Sequence, residues 1–135
     1  MNAVDGKPAT GGGAAALGVR VPRDVIPNTD GSVSPGHAGM SVSPSVAALN
    51  RMPARMVPSR LRTVVPGAAG RDDLSVWSLG GEWDTKEQSV SAGLLLRADP
   101  ADPLHGFVEP DSVMPLTDYR AALEATQDFW RVDKA

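Results

Sequence analysis

The sequence of 135 residues contains no cysteine, which excludes disulfide bonds, zinc thiolate sites and thiol catalysis. Its two histidines, His37 and His105, lie far apart and do not have a metal-ligand spacing. No stretch approaches the roughly 18 consecutive apolar residues of a membrane-spanning helix, and the first residues lack the charged-then-apolar layout of a signal peptide. The sequence therefore predicts neither a metal centre nor a membrane segment.

Positive charge is also scarce, since the net charge is −3 and no long basic run occurs. A phosphate-binding footprint for nucleic acid is therefore not indicated. One short basic cluster is interrupted by prolines and methionines, and it consists of Arg51, Arg55, Arg60 and Arg62. This cluster has two interpretations, a solvated loop or a local seat for a phosphate-bearing ligand.

The chain is rich in residues that interrupt regular structure, with 14 glycines and 12 prolines. This composition predicts many turns and short elements, and the length fits one domain. Residues 1–16 contain a triple glycine followed by three alanines, a composition that buries too little apolar surface to fold. We therefore expect a flexible N-terminal head over residues 1–16 and a single domain over residues 17–135.

Apolar alternation predicts short strands at residues 17–21, 39–43 and 74–79, an apolar run predicts a core strand at residues 94–97, and a further short strand is predicted at residues 106–109. Two prolines predict a loop over residues 99–103. One helix is predicted near the C-terminal end, with Thr117 as its N-cap and Pro115 before it. Its apolar stripe has helical spacing and consists of Tyr119, Ala122, Leu123, Thr126 and Trp130. The predicted fold class is α+β.

Two segments are candidates for chemistry. Residues 30–43 pack turn formers before a strand that carries Ser41 and Ser43 on one face, and glycines there allow a ligand to approach the backbone. In residues 105–110, alternation places His105, Phe107 and Glu109 on one face. The structural alternative for residues 30–43 is a hairpin loop, and the structural alternative for Glu109 is a solvated strand end. Standard nucleotide-binding and hydrolase motifs are absent, and no Ser/His/Asp set is singled out, because the chain offers too many combinations.

The first of these segments resembles a known family. Asp30-Gly31, then Pro35-Gly36, then Gly39-Met40-Ser41-Val42 is similar to the D-G…P-x-x-G-G-x-S-V segment of small ADP-ribosyltransferase-like toxin effectors of bacterial type VI secretion. The similarity covers about fourteen residues. It implies a compact, loop-rich split β-sheet of ADP-ribosyltransferase-like type with a C-terminal helix. It also implies the order of an early Arg, a Ser strand and a late Glu.

Carried over onto this sequence, the resemblance assigns catalytic roles to Arg20, to Ser41 or Ser43, and to Glu109. Arg23 competes with Arg20, because Val19 stands where the family often has an aromatic residue, and Ala38 stands where a glycine is common. The residues that we expect around the cofactor are Gly39, Ser43, Arg23, His105 and Trp77. Trp83 is the alternative to Trp77 for stacking on a ring, and core packing is the structural interpretation of both tryptophans.

The implied function is binding of NAD as a substrate, followed by transfer of ADP-ribose or cleavage of the nicotinamide–ribose bond, without a metal. Nicotinamide leaves as a neutral group, so no general acid is required. The site needs a carboxylate near the ribose, because the ribose becomes oxocarbenium-like, and a cation for the pyrophosphate. A toxin of this kind implies an immunity protein as partner and action in the cytoplasm, including that of a target cell. The alternative is a non-enzymatic protein-interaction module.

Overall fold

The structure is a computed structural model, and it describes residues 3–4, 7–8, 19, 21, 24–36, 39–80, 83 and 87–132. Within these residues the protein is mixed α and β and rich in strands, with four sheets and one α-helix towards the C-terminal end. The predicted α+β class is therefore confirmed. The strands are β1 Ala3–Val4, β2 Lys7–Pro8, β3 Ser32–Val33, β4 Met40–Val42, β5 Trp77–Leu79, β6 Gln88–Ser91, β7 Leu94–Asp99, β8 Asp102–Pro110, β9 Met114–Pro115 and β10 Trp130–Val132, and the helix is α1 Leu116–Glu124.

The largest sheet has four antiparallel strands in the order β4-β8-β7-β6. Two tight hairpins join its last three strands, and Gly93 between β6 and β7 has the positive φ of 83° that such turns favour. The long strand β8 pairs with β4 on one side and with β7 on the other. Three two-stranded sheets accompany it, formed by β1 with β2, β3 with β9, and β5 with β10.

The two faces of the four-stranded sheet differ in chemistry because side chains alternate along each strand. Met40, Val108 and Leu96 lie opposite one another in the register, and all three face the core. Helix α1 covers this face with Tyr119 and Leu123. The other face carries the polar side chains described below. A second, smaller apolar cluster lies within the irregular segment 57–68.

Between β4 and β5 the chain forms three 3₁₀ segments, and a fourth precedes β10. They are Ala47–Arg51, Ala54–Met56, Ser59–Leu61 and Gln127–Phe129. The α-helix has nine residues, and none of the helices in the described residues is long and apolar enough to cross a membrane.

The predicted helix boundaries were wrong, whereas burial is confirmed for four of the five residues of its apolar stripe, and Ala122 is partly buried. Pro115 occupies the N-cap position in place of Thr117, and α1 ends at Glu124. The hydroxyl of Thr126 donates to the Leu123 carbonyl at 2.6 Å and accepts from the Trp130 indole at 2.9 Å. Thr126 and Trp130 thus lie beyond the end of α1, and both stay buried.

Four of the five predicted strands overlap an observed strand. Strand β8 begins at Asp102, earlier than expected, because the expected loop between β7 and β8 is a tight turn at Pro100 and Ala101. Of the predicted strand 17–21, the structure describes Val19 and Val21, and neither lies in a strand. The predicted head, residues 1–16, falls largely outside the described residues, and its described part forms β1 and β2.

Tyr119 joins the helix to the sheet by hydrogen bonds. It is fully buried, its hydroxyl donates to the Val108 carbonyl at 2.6 Å, and the Met40 amide donates to that hydroxyl at 3.1 Å. We expect Tyr119→Phe to lower the free energy of unfolding by about 2 kcal/mol, because it removes both hydrogen bonds that the buried hydroxyl makes to the backbone. Urea denaturation at pH 7 measures this loss.

Alkaline titration gives an independent check on the same side chain. Burial raises the pKa of Tyr119 to about 12, whereas an unfolded tyrosine ionises near pH 10. Between about pH 10 and 12 the unfolded state therefore loses the proton that the folded state retains, and stability falls as pH rises by about 2 to 3 kcal/mol over that window. The part of the alkaline loss that Tyr119 causes should be absent from Tyr119→Phe, and identical pH profiles would contradict the assignment.

Candidate functional site

The sheet face that points away from the core brings several of the predicted residues together. Ser41 in β4 lies opposite Phe107 in β8, so its side chain shares a face with those of His105, Phe107 and Glu109. The His105 and Phe107 rings are in edge-to-face contact, with centroids 4.5 Å apart. The predicted serine and glutamate therefore occupy neighbouring strands of one surface.

A chain of hydrogen bonds crosses three strands on this face. Ser41 Oγ lies 3.0 Å from His105 Nε2, and His105 Nδ1 lies 2.9 Å from Asp99 Oδ2. The Ala101 amide donates to the Asp99 carboxylate, and with His105 and the charge of Arg51 it holds the pKa of Asp99 below its ordinary value. An ionised Asp99 only accepts, so in the neutral imidazole His105 Nδ1 carries the proton and Nε2 accepts from the Ser41 hydroxyl.

A cation lies beside this chain. Arg51 ends the first 3₁₀ segment, and its Nε donates to Ser43 Oγ at 3.3 Å. Ser43 follows β4 and is two residues from Ser41. The other arginines of the basic cluster are engaged elsewhere or exposed: Arg60 binds Asp72 and the Leu74 carbonyl, Arg62 binds the Ala68 carbonyl, and Arg55 is exposed. Arg51 is therefore the member of the cluster that faces the candidate site.

These groups border a cleft of about 1400 Å³ that wraps around the edge strand β4. Its lining includes Ser41, Ser43, Arg51, Trp77 and His105, together with apolar side chains from the opposite face of β4. This volume is ample for a dinucleotide, since ligand pockets typically measure about 300–1,000 Å³. The cleft combines hydroxyl, imidazole, guanidinium and indole groups.

Glu109 lies on the same sheet face but does not line this cleft. It is 1% exposed, its Oε2 accepts from the Gly36 amide at 3.0 Å, and its Oε1 accepts from Arg97 Nε. The hydrogen bond to Glu109 raises the pKa of Arg97, whose Nη1 also contacts Glu87 at 3.2 Å. Both oxygens of the predicted catalytic carboxylate thus have protein partners, so a ligand would have to displace one of these partners to hydrogen-bond to it.

The remaining predicted residues fall into two groups. Arg20 and Arg23 lie outside the described residues, as does His37. Gly39 is buried, and the space that a side chain would fill is occupied by the β8 backbone and by Tyr119. Trp77 lies in β5 and lines the cleft.

Three residues that contribute to this arrangement were not predicted as site residues. Arg51 had a signal, since the basic cluster offered an anion seat as one interpretation. Asp99 was assigned to a loop, and Arg97 ended an apolar run. The contacts of Asp99 and Arg97 depend on the register of β7 against β8, in which Arg97 lies opposite Phe107.

Searches of protein-family models, curated proteins and solved structures found no match to this chain. Among the described residues, no three His, Asp or Glu side chains converge as a metal site. Function is therefore inferred from the geometry of the cleft.

Proposed function

We propose that the protein is an ADP-ribosyltransferase-like toxin domain that binds NAD and transfers ADP-ribose or cleaves the nicotinamide–ribose bond. The observation that carries this proposal is the meeting of Ser41, His105, Arg51 and Trp77 in one cleft of sufficient size. The four-stranded antiparallel sheet with small sheets beside it supports a split-sheet fold of that type. An immunity protein that occludes this cleft would be its partner.

In this proposal each group meets a different part of NAD. The guanidinium of Arg51 binds the pyrophosphate, since planar cations suit phosphate oxygens. Ser41 and His105 bind ribose hydroxyls, because both exchange hydrogen bonds readily. The Trp77 indole stacks on a ring of the dinucleotide.

The bond cleavage needs negative charge beside the ribose. As the nicotinamide departs, the ribose carbon becomes oxocarbenium-like, and a fixed carboxylate stabilises that charge. Glu109 supplies the carboxylate, with Arg97 holding it in position from the neighbouring strand. Its approach to the ribose requires displacement of the Gly36 amide, which the ribose hydroxyl replaces as hydrogen-bond donor.

A non-enzymatic interaction module is the second candidate, and one observation favours it. Glu109 is buried with both oxygens satisfied, an arrangement that also suits a purely structural carboxylate joining the loop to the sheet. In that case the cleft binds a protein segment, and NAD has no effect on the chain.

Incubation with NAD and detection of free nicotinamide by mass spectrometry test the proposal. We expect Arg51→Gln and His105→Gln to reduce nicotinamide release by about 100-fold, because each removes an oriented polar contact to the reacting substrate. Arg71→Gln is the matched control, since Arg71 is an exposed arginine that pairs only with Asp73 among the contacts described and does not line the cleft. It should retain the parent rate.

Thermal unfolding separates the two candidate functions. NAD at about 100 times its Kd should add about 2.7 kcal/mol of stability, which corresponds to a rise in Tm of roughly 10 °C for a domain of this size. Absence of both nicotinamide release and a Tm shift in the parent protein would refute the NAD proposal and favour the interaction module.

A further inference from the structure

The chain Ser41–His105–Asp99 has the connectivity of an activated serine. The hydroxyl contacts one ring nitrogen of the imidazole, and the other ring nitrogen contacts a carboxylate. Serine hydrolases are recognised by this geometry and by these roles, whatever the order of the residues along the chain. We propose that Ser41 is a nucleophile towards activated esters, with His105 as general base and Asp99 as the residue that orients it. This activity is independent of NAD.

The three side chains are positioned by regular structure. They stand on β4, β8 and β7, adjacent strands of one antiparallel sheet. Asp99 is fixed at both oxygens, because the Ala101 amide donates to Oδ1 at 2.8 Å and His105 contacts Oδ2. The imidazole is therefore held with Nε2 towards Ser41, which is the preorganisation that proton transfer requires.

The exposure of the three groups also suits catalysis. Ser41 is exposed and borders the cleft, whereas the His105 and Asp99 side chains are only 14% and 19% exposed. An exposed hydroxyl can hydrogen-bond to water, so the fold does not need His105 to satisfy it. The hydrogen bond between Ser41 and His105 thus places a nucleophile beside a base, and the stability of the fold does not require this hydrogen bond.

The proposed reaction is an acyl transfer. Ser41 Oγ attacks the ester carbonyl carbon and its proton passes to His105 Nε2, while Asp99 stabilises the imidazolium. The new O–C bond forms, the bond from the carbonyl carbon to the leaving oxygen breaks, and His105 returns the proton to the leaving alcohol. Water then attacks the acyl-serine with His105 again accepting a proton, which releases the acid and restores the hydroxyl.

Diisopropyl fluorophosphate tests the nucleophile directly, because its phosphorus–fluorine bond is broken by an activated serine. We expect one diisopropylphosphoryl group per chain, located on Ser41 by tandem mass spectrometry of tryptic peptide 24–51. Ser41→Ala should abolish labelling. His105→Gln should slow it by about 100-fold, in the range of general-base contributions, and Asp99→Asn should slow it at least about tenfold.

Ser112→Ala is the matched control, since Ser112 is also an exposed serine whose hydroxyl contacts a carboxylate, that of Asp111. It has no histidine among its described partners, and its removal should leave the labelling rate unchanged. Far-UV circular dichroism and Tm show that each variant is folded. The proposal is overturned if the parent is not labelled, if Ser41→Ala is labelled as fast as the parent, or if folded His105→Gln keeps the full rate. Labelling of Ser41 in a parent protein that releases no nicotinamide from NAD, or nicotinamide release without labelling, distinguishes this activity from the NAD reaction.

Discussion

Glu109→Gln is expected to lower the free energy of unfolding by about 3 kcal/mol. The buried carboxylate accepts from two donors, the Gly36 amide and Arg97 Nε. A glutamine has one oxygen and one NH₂ group, so a donor would face a donor at one of the two contacts, and Arg97 would lose its buried counter-charge. Breaking a buried pair by changing one partner typically costs about 3–5 kcal/mol, and because the Arg97 side chain is 41% exposed and one hydrogen bond remains, this variant lies at the lower end. Urea denaturation at pH 7 measures the effect.

Glu87→Gln provides the matched control, because both glutamates contact the same guanidinium. The Glu87 side chain is 56% exposed and the Glu109 side chain is 1% exposed. Exposed ion pairs contribute little, so Glu87→Gln should change stability by less than about 0.5 kcal/mol. Equal losses in the two variants would show that burial does not control the strength of this network. The result also decides how activity data are interpreted, because loss of nicotinamide release in Glu109→Gln counts as catalytic only where the variant is folded.

The sequence predicted which face of β8 carries the polar chemistry, because alternation along a strand is a local property. His105 and Glu109 lie on one face, and the predicted strand for Ser41 lies directly beside it. The cation was a different matter. Arg20, which the resemblance favoured, lies outside the described residues and stays a prediction, and among the described residues the guanidinium that contacts Glu109 is that of Arg97. This partner follows from the antiparallel pairing of β7 with β8, and residue spacing alone does not determine a register.

Asp99 and the C-terminal helix show the same limit in other ways. Two prolines suggested a loop around Asp99, but the tight turn lets the strand continue to that residue, and its carboxylate then reaches His105. In the helix, apolar spacing predicted burial correctly as far as Trp130. The spacing missed the end at Glu124 because a turn and the short 3₁₀ segment Gln127–Phe129 follow the α-helix, and Thr126 and Trp130 stay buried through them.

Gly39→Ala is expected to destabilise the protein by about 3 kcal/mol, and its effect separates two roles for the glycine. The sequence suggested that Gly39 lets a ligand approach. In the structure, a Cβ at this position would lie 2.5 Å from the Val108 carbonyl oxygen, 3.1 Å from Glu109 Cα and 3.1 Å from the Tyr119 hydroxyl oxygen. Two of these atoms belong to the β8 backbone, which cannot yield as a flexible side chain would, so β4 must move away from β8. Overpacking of this kind costs about 1–3 kcal/mol or more, and the hydrogen bonds of Tyr119 would be strained as well.

Gly67→Ala is the control, since a Cβ on Gly67 meets nothing within 4 Å and its φ is not in the left-handed region. Alanine there should leave stability within about 0.5 kcal/mol of the parent, or raise it slightly by restricting the unfolded chain. Urea denaturation of both variants, with NAD binding measured on whichever is folded, distinguishes the roles. If Gly39→Ala is as stable as Gly67→Ala but no longer binds NAD, the glycine serves the ligand. If Gly39→Ala unfolds at a much lower urea concentration, the lack of a side chain at Gly39 is what lets the backbones of β4 and β8 lie close together. The position of Ser41 in the site then depends on this close approach.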